Sequence, residues 1–292
     1  MKLSVAMAFS SHTPVEFIRD AAQLLEAKGI HGVWVPEHVL FFPDYASTYP
    51  YSENGRMPGD PEGLLDPFTA LTYIAAHTKK IRLGTGVALV PQRQPVYTAK
   101  MVADVDFLSA GRVDFGVGVG WLKEEMDNLG VDFHQRGRLC SEYIDLMKAL
   151  WAPGITQFSG ATQTLTACHF NPKPVQNPHP PIYFGGESAA ALRRVARQGD
   201  GWYGYDLTPQ DLEDRLPDLE GELAKEGRSL DDIKIIVGPN KHPVTPETVA
   251  AYSALGVDQL VVPMFAPNIE KLALRVDALL ESQLDTDKQA VT

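Results

Sequence analysis

Arg112-Val-Asp-Phe-Gly-Val-Gly-Val-Gly120 and Pro181-Ile-Tyr-Phe-Gly-Gly186 read alike. Each is a short apolar run that ends in glycines and passes directly into a helical segment. A strand end floored with glycine lets a ligand approach the backbone, because no side chain stands in the way. The helix that follows turns free N–H groups and the positive end of its dipole toward the same spot, so each junction is a natural seat for an anion. Two such seats predict one phosphorylated cofactor held at one end of a repetitive β/α fold.

The repetition runs through the chain. Apolar, β-rich runs recur at 3–9, 32–36, 81–87, 113–119, 181–184, 201–205, 233–237 and 259–262. Helical patterns fill the gaps at 15–28, 67–77, 95–108, 138–151, 189–197, 209–225, 246–255 and 269–280. In the first, Val15, Ile18, Ala22 and Leu25 share a face, Gly29 is the stop, and Thr13-Pro-Val-Glu16 reads as a capping box. Strands that are apolar throughout belong in a parallel sheet covered on both faces. Eight β/α units in a chain of this length predict an α/β fold of the (β/α)8 TIM-barrel type. A doubly wound sheet would carry GxGxxG after its first strand. Here that strand ends in Ala-Phe-Ser-Ser, and Gly116-Val-Gly-Val-Gly120 has the spacing GxGxG. Two insertions break the rhythm, one after strand 2 (39–66) and one before strand 5 (153–180), whose 157–166 portion resembles a hairpin. Insertions of this length in compact domains are commonly functional. The first falls at the C-terminal face, where barrel active sites lie. One domain is expected over 1–284, with a polar, disordered tail at 285–292.

Composition narrows the function. Hydrophobic content of 44% and charged content of 22% fit a soluble globular chain of 292 residues. Net charge is −11 and the 26 Lys and Arg are scattered, which argues against a nucleic-acid partner. The two cysteines, Cys140 and Cys168, have no metal spacing and suit a reducing compartment. No apolar run approaches the ~20 residues that span a membrane, and the apolar start reads as the first strand rather than a leader. The expected location is cytoplasmic, and no metal site is expected.

Several residues have the chemistry and the position to act. His38 directly follows the second strand, where a histidine is a natural general acid or base near neutral pH; the residues alone equally allow a loop histidine bonded to backbone. Glu37 has three readings: bonding a cofactor ring, orienting His38, or anchoring the loop. Gly84-Thr-Gly-Val87 suggests a bulge or close backbone approach, either a platform for a flat ring or simple crowding inside the barrel. Arg93 is a candidate anion ligand or a surface residue. Gly118-Val-Gly120-Trp121 and Gly185-Gly186-Glu187-Ser188 are the anion seats. Ser188 serves either as N-cap or as a phosphate donor, and Trp121 either walls a ring pocket or packs. The other histidines show no ligand spacing.

Ile81-Arg-Leu-Gly-Thr-Gly-Val-Ala-Leu-Val-Pro-Gln-Arg-Gln-Pro95, Leu108-Ser-Ala-Gly-Arg112, Gly116-Val-Gly-Val-Gly-Trp121, Asn171-Pro-Lys-Pro-Val-Gln-Asn-Pro-His-Pro-Pro181 and Gly199-Asp-Gly-Trp202 together resemble the luciferase-like monooxygenase superfamily. Within it they look most like the F420-dependent oxidoreductase branch. The resemblance implies a deazaflavin or flavin ring in the barrel mouth, backed by a non-proline cis peptide at Gly86-Val87 with Ala88 and Leu89 beside it. It places Glu37 and His38 near the ring and the phosphate contacts at Val119, Gly120, Gly185, Gly186, Ser188 and Ala189, with Trp121 and Glu187 in the same seats. It implies hydride transfer between coenzyme F420 and a small organic substrate in a homodimer. Trp121 stands where sugar-phosphate dehydrogenases of that branch carry a catalytic glutamate, which argues against a sugar-phosphate reaction. The alternatives are an FMN-dependent monooxygenase using oxygen and a non-catalytic cofactor-binding protein.

Overall fold

Strands buried on both faces need helices outside and large side chains inside, and the chain supplies both. The computed structural model describes residues 1–58 and 63–289. Its first part runs β1 (Lys2–Ala6), α1 (Val15–Ala27), β2 (Gly32–Val35), α2 (Pro67–His77), β3 (Arg82–Thr85), β4 (Ala88–Leu89), α3 (Pro95–Leu108), β5 (Val113–Gly118), α4 (Lys123–Asn128) and α5 (Arg136–Trp151). It continues β6 (Thr156–Ser159), β7 (Thr164–Cys168), β8 (Ile182–Gly185), α6 (Ala189–Gln198), β9 (Gly201–Tyr205), α7 (Pro209–Lys225), β10 (Lys234–Gly238), α8 (Pro246–Ala254), β11 (Gln259–Pro263) and α9 (Ile269–Gln289).

Eight strands pair in parallel in the order β3-β2-β1-β11-β10-β9-β8-β5, and Leu83 against Val113 closes β3 onto β5. This is the expected (β/α)8 barrel. The pairing of β4 with β5 continues the wall above β3. The interior is filled by Trp34, Tyr183, Tyr203, Ile236 and Val261, and the larger core lies between sheet and helices. Trp34 governs its neighbours. A Cβ on Gly84 would sit 2.2 Å from the indole, and one on Gly116 would sit 2.0 Å from the Thr85 carbonyl oxygen. Those two glycines therefore answer crowding inside the barrel. At the opposite rim Arg82 bonds Asp114 at 2.8 Å, and Arg112 donates to the backbone oxygens of Ala75, Thr78 and Ile81. These are structural anchors on the face away from the mouth.

Four local expectations change. The run 81–87 splits into β3 and β4, with Gly86 and Val87 bulging between them across a cis peptide bond. No capping box forms at Thr13: Pro14 is the N-cap of α1, and the Thr13 hydroxyl accepts from Ser10 N–H instead. The helix that directly follows the run 112–120 is the short α4, which is not among the eight helical patterns. α9 continues to Gln289, into the segment assigned to the tail; residues 290–292 lie outside the described residues. The second insertion does hold an antiparallel hairpin, β6 with β7. Among the described residues no helix is long and apolar enough to cross a membrane, and no cluster of His, Cys, Asp or Glu could hold a metal ion.

Candidate active site

All the predicted site residues lie just past the C-terminal ends of β2, β3, β5 and β8, so the barrel gathers them at one mouth. The bulge is the centre. Val87 points its isopropyl group into the space that the glycines of its neighbours leave. A Cβ on Gly118 would lie 2.6 Å from Val87 Cγ2, and one on Gly185 would lie 3.3 Å from Val87 Cγ1. Those glycines thus admit the bulge. Gly120 and Gly186 are glycine for a different reason, with φ of +78° and +103°.

Glu37 is buried and serves the bulge. One oxygen accepts from Leu89 N–H at 2.6 Å, and the other pairs with Arg93 Nε at 2.6 Å. Arg93 also reaches Asp66, which caps α2 through Thr69 N–H, and its guanidinium lies over the Phe68 ring. Burial pushes the Glu37 carboxyl up against the pull of Arg93. Neither oxygen meets His38. Of the three roles open to Glu37, its bonds are those of the anchor.

The partner of His38 is Glu125, which the sequence reading did not single out. His38 Nδ1 lies 2.7 Å from Glu125 Oε2, and both side chains are almost fully buried. The other Glu125 oxygen accepts from the amides of Val39 and Leu40 at 2.6 and 3.1 Å. Burial pushes this carboxyl up, but the His38 ring and those amides outweigh it and hold it below the ordinary carboxylate range. On the far side of the ring, Trp121 Nε1 lies 3.2 Å from His38 Nε2. An indole N–H can only donate, so Nε2 accepts and Nδ1 carries the proton toward the carboxylate. The two contacts fix the orientation of the His38 ring.

The first part of the insertion, 39–58, crosses the mouth as a strap pinned by three glutamates. Glu125 takes its start. Glu124 accepts from Ala46 N–H, Ser47 N–H and the Ser47 hydroxyl, and its carboxyl is held down to about 2, chiefly by that hydroxyl. Glu187 accepts from the Tyr51 hydroxyl at 3.0 Å and from Tyr205 N–H at 2.8 Å. Burial holds the Glu187 carboxyl and the Tyr51 phenol toward their neutral forms. Aromatic contacts run from the barrel interior to the histidine: Trp34 on Tyr203 at 5.2 Å, then Tyr205, Tyr51, Tyr49, Trp121 and His38. Trp121 is therefore a wall residue that also bonds His38.

The anion end lies between β5 and α6. Ser188 is the N-cap, its hydroxyl accepting from Ala191 N–H at 3.2 Å, while the preceding first-turn amides, including that of Ala189, have no partner within the helix. Arg136 binds the Gly120 carbonyl at 3.2 Å and stacks over Phe133. Burial and the neighbouring charge of Arg194 lower its pKa. Neither Arg136 nor Arg194 has an acidic partner among the described residues. Two half-buried cations beside open helix amides fit a phosphate group. The sequence reading missed both. The signal for Arg136 was its place heading a helix that follows a glycine-ended strand. Glu124 and Glu125 could have been flagged because they lie three and four residues after Trp121.

Comparison with known proteins agrees with this architecture. A family model described as luciferase-like monooxygenase matches residues 3–288. An uncharacterized protein of Mycobacterium tuberculosis is 33% identical over 263 residues, covering 89% of this chain and 91% of that one. Among solved structures, the monooxygenase RslO1 from Streptomyces bottropensis superposes with a TM-score of 0.78 at 19% identity, covering 98% of this chain and 99% of that one. An F420-dependent secondary alcohol dehydrogenase in complex with an F420-acetone adduct gives 0.76 at 16% identity, covering 98% of each chain. The match over nearly the whole chain, on a closed parallel barrel, makes the protein a member of the luciferase-like monooxygenase family.

Proposed function

We propose that the protein is an F420-dependent oxidoreductase that moves a hydride between the cofactor and a small organic substrate. The observation that carries this reading is His38, clamped between Glu125 and Trp121 with Nε2 kept as an acceptor at the mouth. Hydride movement to or from an alcohol-type carbon is accompanied by a proton, and a neutral imidazole is the group to take or return it. The coenzyme would supply the hydride chemistry through its deazaflavin ring. Arg136, Arg194, Gly120, Gly186 and the start of α6, with Ser188 and Ala189, would hold its phosphate. The backbone of Gly86, Val87, Ala88 and Leu89 would back the ring, with Val119, Gly185 and Glu187 around it. Glu125 sets the His38 tautomer and stabilises the imidazolium after proton uptake. Trp121 must release Nε2 when a substrate hydroxyl arrives. The strap, closed by Tyr49 and Tyr51, excludes water. Glu37 acts through the bulge it anchors.

The same reading takes the protein as a cytoplasmic homodimer; Tyr97 and Leu108, exposed on one face of α3, offer apolar surface for pairing. The test uses purified protein titrated with F420 and with FMN by fluorescence, followed by turnover over an alcohol and enone panel. F420 should bind preferentially. His38→Ala should lower turnover by about 10²–10⁴-fold while leaving cofactor affinity within a few fold. Preferential FMN binding with substrate-dependent oxygen uptake would instead make the enzyme a flavin monooxygenase, and tight binding without turnover would make it a carrier.

A further inference from the structure

A cavity of about 420 Å³ opens at the ends of β1 and β11. Its volume is in the range of small-molecule sites. Phe9, Phe17, Met264 and Phe265 line it, and Arg275 and His12 supply the polar groups. Phe9 and Met264 are buried floor residues, held because Leu65 N–H bonds the Phe9 carbonyl and Met264 N–H bonds the Ala6 carbonyl. Phe265 is 61% exposed, an apolar ring at the opening with no core to fill. Arg275, on α9, makes no ion pair or side-chain hydrogen bond among the described residues, in a chain where 37 acidic residues face 26 basic ones.

The position is as informative as the lining. In the closed strand order, β1 and β11 stand diametrically across the mouth from β8 and β5, which carry the anion end. His38 follows β2, next to β1, and the bulge lies between β3 and β5. The strap is pinned toward the β5 and β8 side by Glu124, Glu125 and Glu187, and the end of the insertion returns to the β1 side, where Leu65 N–H bonds the Phe9 carbonyl. The cavity thus sits at the ends of the two strands opposite the anion end, on the rim of the same mouth.

We infer that the cavity is the substrate subsite and that it takes an apolar molecule carrying one carboxylate. The aromatic and methionine walls take the apolar body. The Arg275 guanidinium takes the carboxylate through paired N–H donors, a geometry that suits a planar anion. One unpaired cation matches one negative charge. The word substrate rests on the proposed hydride-transfer function; the binding chemistry does not.

The test is calorimetric titration of the full-length protein, without cofactor, using octanoate, 1-octanol and octylamine as probes. Octanoate should bind best, and Arg275→Gln should weaken it about tenfold or more while leaving 1-octanol unchanged, since a charge-assisted hydrogen bond is worth about that much. Phe265→Ser should weaken octanoate and 1-octanol together. Arg275 is exposed, so its variant keeps the fold, which an unchanged melting temperature verifies. No heat with octanoate, equal affinity for octylamine, or an unaltered constant in Arg275→Gln overturns the inference. Arg136→Gln separates the two readings. It should weaken cofactor binding and leave octanoate untouched, so a failed cofactor experiment with intact octanoate binding removes the proposed function and keeps the cavity.

Discussion

Two arginine-centred clusters lie close to the bulge and are built in opposite ways. Arg93 is enclosed: Glu37 and Asp66 take its charge, Phe68 takes its face, and Glu37 passes the constraint on to Leu89. Arg136 has two carbonyls, of Gly120 and Phe133, and an aromatic face but no carboxylate among the described residues, and it feels a second cation, Arg194. A buried cation with its counter-ions supplied by the chain holds structure in place. A half-buried cation left without one, beside open helix amides, has its counter-ion still to come. The proposed phosphate seat rests on this difference.

The sharpest way to break the comparison is to remove a counter-ion from the closed cluster. Glu37→Ala leaves Arg93 buried with Asp66 alone and strips Leu89 N–H of its acceptor. The expected loss is about 3–5 kcal/mol of stability, toward the lower end because Asp66 remains. Chemical denaturation measures it directly. An unchanged midpoint would mean that the Glu37 cluster carries no structural load.

The matching change at the open cluster should do the reverse. Arg136→Gln removes a charge that no carboxylate among the described residues neutralises, so stability should stay within about 0.5 kcal/mol. Affinity for a phosphate-bearing cofactor should fall about tenfold to a hundredfold, the worth of a charge-assisted hydrogen bond. A fluorescence titration of the cofactor against wild type and variant reads this, with inorganic phosphate as competitor. A variant that loses stability and keeps its affinity would place Arg136 with Arg93 among the scaffold residues.

The barrel was more legible than either cluster, for physical reasons: Arg93 read as an anion ligand or a surface residue and is enclosed instead, and Arg136 was not singled out. Parallel strands buried on both faces are apolar at every position, so their runs stand out, and 113–119 and 201–205 read cleanly as β5 and β9. Glycine is ambiguous in one dimension. Gly118 read as room for a ligand, and Gly84 as a ring platform or as crowding; Val87 and Trp34 fill the space beside them, and such pairings join residues far apart in sequence. α4 is short and polar, Lys123-Glu-Glu-Met-Asp-Asn128, so Glu124 and Glu125 carry no mark of burial; only the fold turns them toward the strap and His38. Thr13 carried the signal of a cap and had no helix amide to serve, because Pro14 took the position.

Glu124 and Glu125 allow a finer comparison, between two carboxylates one residue apart. Glu125 is buried against a histidine, whereas Glu124 is only half-buried and bonds the strap backbone. Its ordinary pKa of 4.5 falls to about 2 in the fold, through the Ser47 hydroxyl first. A depressed carboxyl contributes stability above its unfolded pKa and loses it as pH falls through the folded one. The hold of Glu124 on the strap is therefore complete above about pH 4.5 and fades toward pH 2. Because the group is accessible to water, the effect on global stability is small, and the strap is the place to look. Amide-exchange protection factors at Ala46 and Ser47 should drop across that window in wild type. In Glu124→Gln they should be low and flat with pH, while the Val39 and Leu40 amides, held by Glu125, keep their protection above pH 4.5. If all four amides lose protection together in the variant, the strap opens as one piece, and the closed and open parts of the mouth are one cooperative unit.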